Sequence, residues 1–515
     1  MRSWINNLTV TISNAGGALL ADGLENISGV NFGTLYPGGL HGSFSCFVPR
    51  KITDAWQVRL SHKLQVYNGL ALVWEGRITA LTPGSSDEGE GVSITALGYW
   101  ADVMMRRMLR KPWCDTRIGQ DVWLWSAGSG LPGKLAIDRL NRIRLTPKAE
   151  AWLIGENGAV VYIAPVGQLI KRVSFSYDLQ EGMQNWTGGL YAGSGGIWAT
   201  TISGTGTQNI TLGTPEPAFW FYLAAAANQT PPSDGSIYLE ITNLKIYTET
   251  GAIDLTEIAK DVRAIPSEIS TDERLIASNT FALEPFVIDP PESLANILMK
   301  AADYGDSSFN PWAVGIRGSH LASDGKPILF VEQQPVLTDF DYAIRVDDPN
   351  VNGPLAFSQN VEDVRNYIIA EYQTIEGYPA FVTPDDDTAL KDTTSITAYG
   401  ERHESIQVQT TDVTKAKNVA RRILAARKDP QWRVDGQIAV IGYIRDKYGS
   451  QVPACEIQAG KRIKIENWLN DLSGTGLTFL ISSTEYNDST ETCTLGIGQV
   501  DDLATYLARL QAEAA

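Results

Sequence analysis

Apolar and polar residues alternate with a period of two in one short run after another along this chain, and that period commits most of it to β-structure. Leu8, Val10 and Ile12 alternate, as do Phe44, Cys46 and Val48, then Leu64 and Val66, Leu72 and Trp74, and Val92, Ile94 and Ala96. Gly, Pro, Asn and Ser fill the gaps between them. Strands this short and this regularly punctuated predict a small sandwich or barrel over residues 1–112. A short helix closes that unit, with Trp100, Val103, Met104 and Met108 on one face before Pro112.

Beyond it the pattern changes character several times, which predicts a mainly β, multidomain (α+β) protein. Residues 113–165 read as a β connector with strand-like runs at Trp123, Trp125 and Trp152 and a two-residue turn at Asn157 and Gly158. In residues 166–253 charged side chains thin to about half the chain average, while Gly, Ser, Thr and aromatics rise; this reads as an inserted β-sandwich. Residues 254–354 read as a small α/β segment, with helices over 254–262 and 290–304 and strands over 311–316 and 327–332. From 355 to 515 the β pattern returns, interrupted by one amphipathic helix over 412–428. Thr411 or Asp412 caps it, and Val413, Ala416, Ala420, Ile423, Leu424 and Arg427 line a face.

The first and last β regions echo each other in order. Leu64 and Val66, then Trp74 to Ile78, then Val92 to Gly98 and a helix match Ile463 and Ile465, then Leu477 to Ile481, then Cys493 to Gly498 and a helix over 500–510. Gly98 and Gly498 each precede a helix with an acidic first turn (Asp102; Asp501 and Asp502), which suits the helix dipole. The offset stays at about 400 residues. Antiparallel β units resemble one another, so order alone leaves both duplication and coincidence open.

Composition narrows the function classes. The 515 residues carry 42 Lys+Arg against 59 Asp+Glu, a net charge of −17, so a general nucleic-acid or anionic-membrane binder is disfavoured for want of a basic face. No apolar run approaches the ~20 residues that span a bilayer, and the N-terminus lacks a signal-peptide core; the chain is expected to be made in cytosol and carried out of it only by assembly. Cys46, Cys114, Cys455 and Cys493 show no paired spacing and read as buried thiols. His41, His62, His320 and His403 have no i+4 partners, so no metal and no cofactor is expected.

Several near-motifs dissolve on inspection. Gly128 to Leu135 fits Gly-x4-Gly-Lys, but Leu135 replaces the Mg²⁺-holding hydroxyl and Pro132 removes a backbone N–H, leaving a Gly/Pro turn. Ser194 is one residue from a nucleophile elbow, yet strand-like residues follow where a helix is needed. Asp385, Asp386 and Asp387 lack the calcium-loop spacing and closing Glu. Glu401, His403 and Glu404 read as a strand-edge charge cluster, and Lys415, Lys417, Arg421, Arg422 and Lys428 as a helix face that is solvated or docked on an acidic neighbour. No enzymatic constellation emerges. In the insert, Trp186, Tyr191, Trp198, Trp220 and Tyr222 could stack on sugar rings if exposed; core packing is the commoner role of such aromatics.

Several segments are similar to one known family. The stretch Val364, Arg365, Asn366, Tyr367 to Tyr372 resembles one found in baseplate-hub or minor tail proteins of long-tailed bacteriophages. So do the helix from Leu294 to Tyr304 with the strands at Trp312 and Ile328, the Tyr399 and Gly400 pair, and the Ile457 to Ile463 run. Residues 236–251 resemble the last strands of galactose-binding-like sandwiches inserted in such proteins. The resemblance covers about two-thirds of the chain, and residues 113–165 fall outside it. It implies two tail-tube-like β-barrels, at 1–112 and 355–515, so that three chains present six barrels to a sixfold tube. A homotrimer, the tail tube or distal tail ring, the tape measure protein, fibre or spike proteins and a host surface glycan are the partners it implies, with no sequence-specific nucleic acid. The location it implies is the virion tail tip, and the role structural, not enzymatic. Two alternatives stand beside it: a tail-borne carbohydrate-active enzyme or glycan-binding receptor protein, which as an enzyme would need two facing carboxylates, and the hub of a tail-like injection or secretion system.

Overall fold

The computed structural model describes residues 8–497 except 15–17, 25–26, 40–41, 50–57, 87–88, 117–122, 127–134, 139–141, 152, 155–156, 165–166, 181–185, 193–196, 203, 309, 346–347, 353–355, 375–377, 409, 411, 436 and 467–476. The helix expected over 500–510, the loop at 128–134 and Ser194 lie outside the described residues. The protein is mainly β and multidomain, as its periodicity predicts.

Its largest element is a fifteen-stranded sheet built from both ends of the chain. The first half supplies β1 (Leu8–Ser13), β2 (Leu19–Leu24), β3 (Ser28–Leu35), β4 (Ser43–Pro49), β5 (Lys63–Asn68), β6 (Ala71–Ser86) and β7 (Gly89–Leu97). Their spatial order is β2-β1-β5-β6-β7-β4-β3. The second half supplies β8 (Tyr342–Arg345), β9 (Val351–Asn352), β12 (Ile438–Ile441), β13 (Tyr443–Asp446), β14 (Gln451–Pro453), β15 (Arg462–Glu466), β16 (Leu477–Asn487) and β17 (Thr492–Ile497). Here β14-β13-β8-β15-β16 runs on one side and β16-β17-β12-β9 on the other. A separate two-stranded ribbon, β10 (Ala356–Gln359) with β11 (Trp432–Asp435), continues β9 and β12.

The two tail-tube-like β-barrels expected at 1–112 and 355–515 are not closed barrels here. Among the described residues no barrel closes, and β3 at the edge of the first half pairs antiparallel with β16 of the second, joining the two sets in one sheet. One core serves both: Cys46, Val48, Leu64, Val66, Ile78 and Ile94 pack in the same cluster as Ile438, Val440, Ile463, Ile465, Ile481 and Leu495. Each of these is inward-facing by strand alternation, so the two sets are buried for the same local reason.

The sandwich has two sheets. One orders Trp123–Ser126, Asn157–Ile163, Ala218–Ala225, Trp186–Ala192 and Ile197–Ile202; the other orders Leu135–Asp138, Ile143–Pro147, Leu239–Tyr247, Ile170–Leu179 and Thr205–Glu216. Strands within 123–163 therefore pair into the sandwich. Val160, Phe175, Leu190, Phe219 and Phe221 fill its core. Strand Met108–Asp115 continues the second sheet and pairs with Phe286–Ser293, tying the sandwich to the α/β segment.

That segment packs α1 (Leu255–Arg263) and α2 (Leu294–Asp303) against the strand pair Trp312–Arg317 and Ile328–Gln333. Asp254 and Ser293 cap the two helices by accepting from Glu257 and Asn296 N–H groups. The helix expected over 100–108 is a single wide turn, Trp100–Met104, with the Met105 N–H bonded to the Trp100 carbonyl; Met108 instead opens a strand. The last unit carries α3 (Thr393–Tyr399) and α4 (Val413–Arg427).

Candidate functional site

The topological repeat is explicit in the pairings. In each half a long central strand pairs with the preceding strand through its first part and the following strand through its second. β6 pairs β5 over Ala71–Arg77 and β7 over Arg77–Ser86, with a bulge between Ile78 and Ala80. β16 pairs β15 over Leu477–Leu480 and β17 over Ile481–Asn487, with a bulge between Ile481 and Ser483. β4 beside β7 matches β12 beside β17, and β3 beside β4 matches β9 beside β12. One difference is strand sense: β1 lies antiparallel to β5, whereas β8 lies parallel to β15.

Against this repeat, the β3–β16 joint is a head-to-tail contact: the edge of one repeat meets the central strand of the other. Along β3 the inward row is Val30, Phe32 and Thr34, continued by Tyr36, all buried. Thr34 and Thr484 share a buried hydroxyl–hydroxyl hydrogen bond of 2.6 Å, and the Ala459 N–H donates to Thr34 Oγ1 at 2.9 Å. Phe32 and Tyr486 lie with ring centroids 5.1 Å apart. Gly33 lets the backbones meet; a Cβ there would sit 2.9 Å from the Thr484 carbonyl oxygen. Tyr36 stacks on Phe330 and donates to Glu332 at 3.2 Å, and burial together with that carboxylate pushes its phenol pKa up.

Two matched anchors hold the halves to their flanking segments. Lys63 on β5 reaches Ser319 Oγ at 3.0 Å and lies 3.5 Å from Glu75. Glu75 is fully buried and accepts from the Ser319 N–H and hydroxyl, both at 2.6 Å, and from Gln65 at 3.1 Å. Arg462, at the corresponding place on β15, bonds Asp341 and Asp339, each at 3.1 Å. Burial pushes the Asp341 carboxyl up, but its bonds from Arg462 outweigh that and hold it below the usual range.

Among the described residues, the first half keeps one flank of its central strand unpaired. Thr82, Pro83, Gly84 and Ser85 on β6 are exposed, and the described residues pair only β7 with this part of the strand. The matching part of β16, Ser483–Asn487, is the part that β3 occupies.

The sequence-derived aromatics separate. Trp186 (5 % exposed) and Tyr222 (7 %) are buried, and Trp220 is half-buried. Tyr191 is registered opposite both Trp198 and Trp220, which puts the three backbones in one row across the sheet; the side chains of Tyr191 and Trp198 lie outside the described residues. Among the other sequence candidates, Asp386 bonds Thr383, Asp387 accepts from Arg421, His403 stacks on Tyr367 and Glu404 pairs with Arg427. The basic helix face is docked: Arg421, Arg422 and Lys428 reach Asp387, Asp303 and Asp392. No group of three or more metal-ligating side chains occurs among the described residues. Burial pushes the Cys46, Cys114 and Cys455 thiols up to about 12 and raises Cys493 as well, which removes thiolate chemistry at neutral pH.

Sequence reasoning passed over Thr34, Thr484 and Glu75. The available signal was a polar residue at an inward strand position, Thr34 between Phe32 and Tyr36.

No family model matches this chain, and no curated protein matches it. Among solved structures, it is similar to a tail protein from Neisseria meningitidis MC58 (11 % identity, 96 % of this chain and 97 % of that one, TM-score 0.47). It is similar also to the 43 kDa tail protein of prophage MuSo2 from Shewanella oneidensis (10 % identity, 96 % and 98 %, TM-score 0.43). A third likeness is to a carbohydrate-binding module, CBM27-1 of Caldicellulosiruptor saccharolyticus, over 25 % of this chain and 92 % of that one (10 % identity, TM-score 0.20).

Proposed function

We propose that this chain is a structural protein of a phage tail tip: a hub that closes the tail tube, adapts sixfold to threefold symmetry and anchors fibres or spikes. The observation that carries the reading is the head-to-tail joint between two topologically matched halves. A heterologous contact leaves one donor edge and one acceptor flank unused, and such contacts either close into a ring or grow into a filament. Among the described residues, β9, the counterpart of β3, pairs with β12 alone, and Ala80–Ser86 of β6, the counterpart of Ser483–Asn487, pairs with β7 alone. If a second copy's β9 edge seats on this flank as β3 seats on β16, three copies close a ring of six matched units.

The tube, distal ring, tape measure and fibre proteins remain the partners of this reading, with the virion tail as its location and the sandwich as the outward module. A net charge of −17 suits a DNA conduit, since a negative wall does not hold phosphate. Light scattering of the purified chain tests it: the expected solution mass is three chain masses, and Thr82→Lys in each copy, placing three like cations at the joints, is expected to shift it to one. A monomer at micromolar concentration would refute the ring.

A further inference from the structure

Residues 360–431 leave and rejoin the large sheet through one antiparallel ribbon, β10 with β11, registered from Ala356↔Asp435 to Gln359↔Trp432. Phe357, Trp432 and Val434 of the ribbon pack against the core of the large sheet. Beyond it the chain builds a lobe of its own: strands Tyr367–Gln373, Pro379–Val382 and His403–Gln407 with α3 and α4. Ile368, Ala370, Val382, Leu390, Ala416, Val419, Ala420 and Leu424 form a separate core there. The apolar stripe of α4 is spent inside the lobe, so what α4 presents to the α/β segment is polar.

Among the described residues of α4, three side chains make that contact. Lys415, 1 % exposed, donates from Nζ to the Pro285 carbonyl at 2.8 Å and lies 5.4 Å from the centre of the Tyr304 ring. Asn418 donates to the carbonyl oxygens of Tyr304 and Asp306. Arg422 pairs with Asp303. Tyr304 packs against both cores. Apart from Tyr304 the described contact is polar, and interfaces of that kind, between units that each hold their own core, are the ones that open without unfolding.

We infer that residues 360–431 form a latched lobe, which undocks from the α/β segment as a unit by bending at the β10–β11 ribbon, the latch being the Lys415, Asn418 and Arg422 face of α4. Undocking exchanges these hydrogen bonds for bonds to water and withdraws Tyr304 from the edge of the lobe core. The groups around Lys415 are Asp412 on its own helix, Glu284 beside Pro285, Lys245 on the strand Leu239–Tyr247, the Cys114 thiol and Tyr304. Burial outweighs the attraction of Asp412 and Glu284 and pushes the ammonium down to about 8 from 10.5. Docking therefore releases a proton between those values, and the latch tightens as pH rises through that window.

Distance measurement between spin labels on the full chain tests this. The labels go on Ser278→Cys in the α/β segment and Ala398→Cys on α3, both exposed, while the four native thiols are buried. A short and a long distance are expected at pH 7.5, with the short one favoured on the order of tenfold more at pH 9.5. Lys415→Met is expected to abolish that dependence, and Asn418→Ala to enlarge the long population at every pH. A single distance, unchanged from pH 6 to 9.5 and unchanged in Asn418→Ala, would overturn the latch; undiminished pH dependence in Lys415→Met would overturn the assignment to that lysine.

Discussion

The two halves of the large sheet share an order of strands and differ in what they place between their last two. In the first half, Gly38 and Gly39 between β3 and β4 lie parallel to the strand Trp312–Arg317. A Cβ on Gly315 would sit 1.5 Å from the Gly38 carbonyl oxygen, so the seam tolerates no side chain. In the second half the same place holds the whole 360–431 lobe. A rigid seam and a polar-latched lobe occupy matched positions, which teaches that the strand frame tolerates insertions where two neighbouring strands already sit side by side. The strand next to β5 and β15 makes a second contrast. Side-chain alternation is indifferent to chain direction, so β1 running antiparallel and β8 running parallel bury equivalent rows.

The widest effect is expected in the cores of the matched central strands. Trp74 is fully buried on β6, whereas Leu477, its counterpart on β16, is half-buried. Trp74→Ala is expected to destabilise by ~3–5 kcal/mol and Leu477→Ala by about half as much, read by chemical denaturation. Equal losses would show that the halves are not packed as described. Next comes the joint. Thr34→Val deprives the Ala459 N–H and the Thr484 hydroxyl of a buried partner and is expected to cost ~1–3 kcal/mol; adding Thr484→Val should cost less than the sum of the two single changes. Strict additivity would deny that the pair acts as one unit.

The smallest effects concern the anchors. Lys63→Met and Arg462→Met are each expected to cost on the order of 1 kcal/mol, but with different pH signatures. Asp341 is held below its ordinary value of 3.8 in the folded chain, so its contribution is complete above that pH and is lost as the solution becomes more acidic. Arg462→Met should flatten that acid-side loss, and Lys63→Met should leave it in place. An unchanged acid limb in Arg462→Met would separate Asp341 from its assigned partner.

Local features were legible from residues alone. Leu64 and Val66 against Ile463 and Ile465 announce the repeated meander because burial by alternation is decided within a few residues. Asp254 and Asp412 likewise mark their helix starts. The joint was not legible, since Thr34 and Thr484 are 450 residues apart and strand-edge choice depends on which edges remain free after each half has folded. The wide turn at Trp100–Met104 is a tertiary override: pairing of Met108 with Ser293 draws the end of the helical pattern into a strand. In the insert, register puts Trp186 and Tyr222 on opposite faces of their sheet, and alternation within either strand does not say which face the second sheet encloses. The short helix α3 lacks an apolar stripe, and its cap, Asp392 accepting from the Ser395 N–H, was the only local cue.

Electron-microscopic imaging of the purified protein along its symmetry axis tests the repeated joint most directly. The account predicts a closed ring of three chains that reads as six similar units, with β9 of each copy lying against β6 of the next. Particles without a ring, or a trimer whose chains meet anywhere other than at that strand pair, would contradict it.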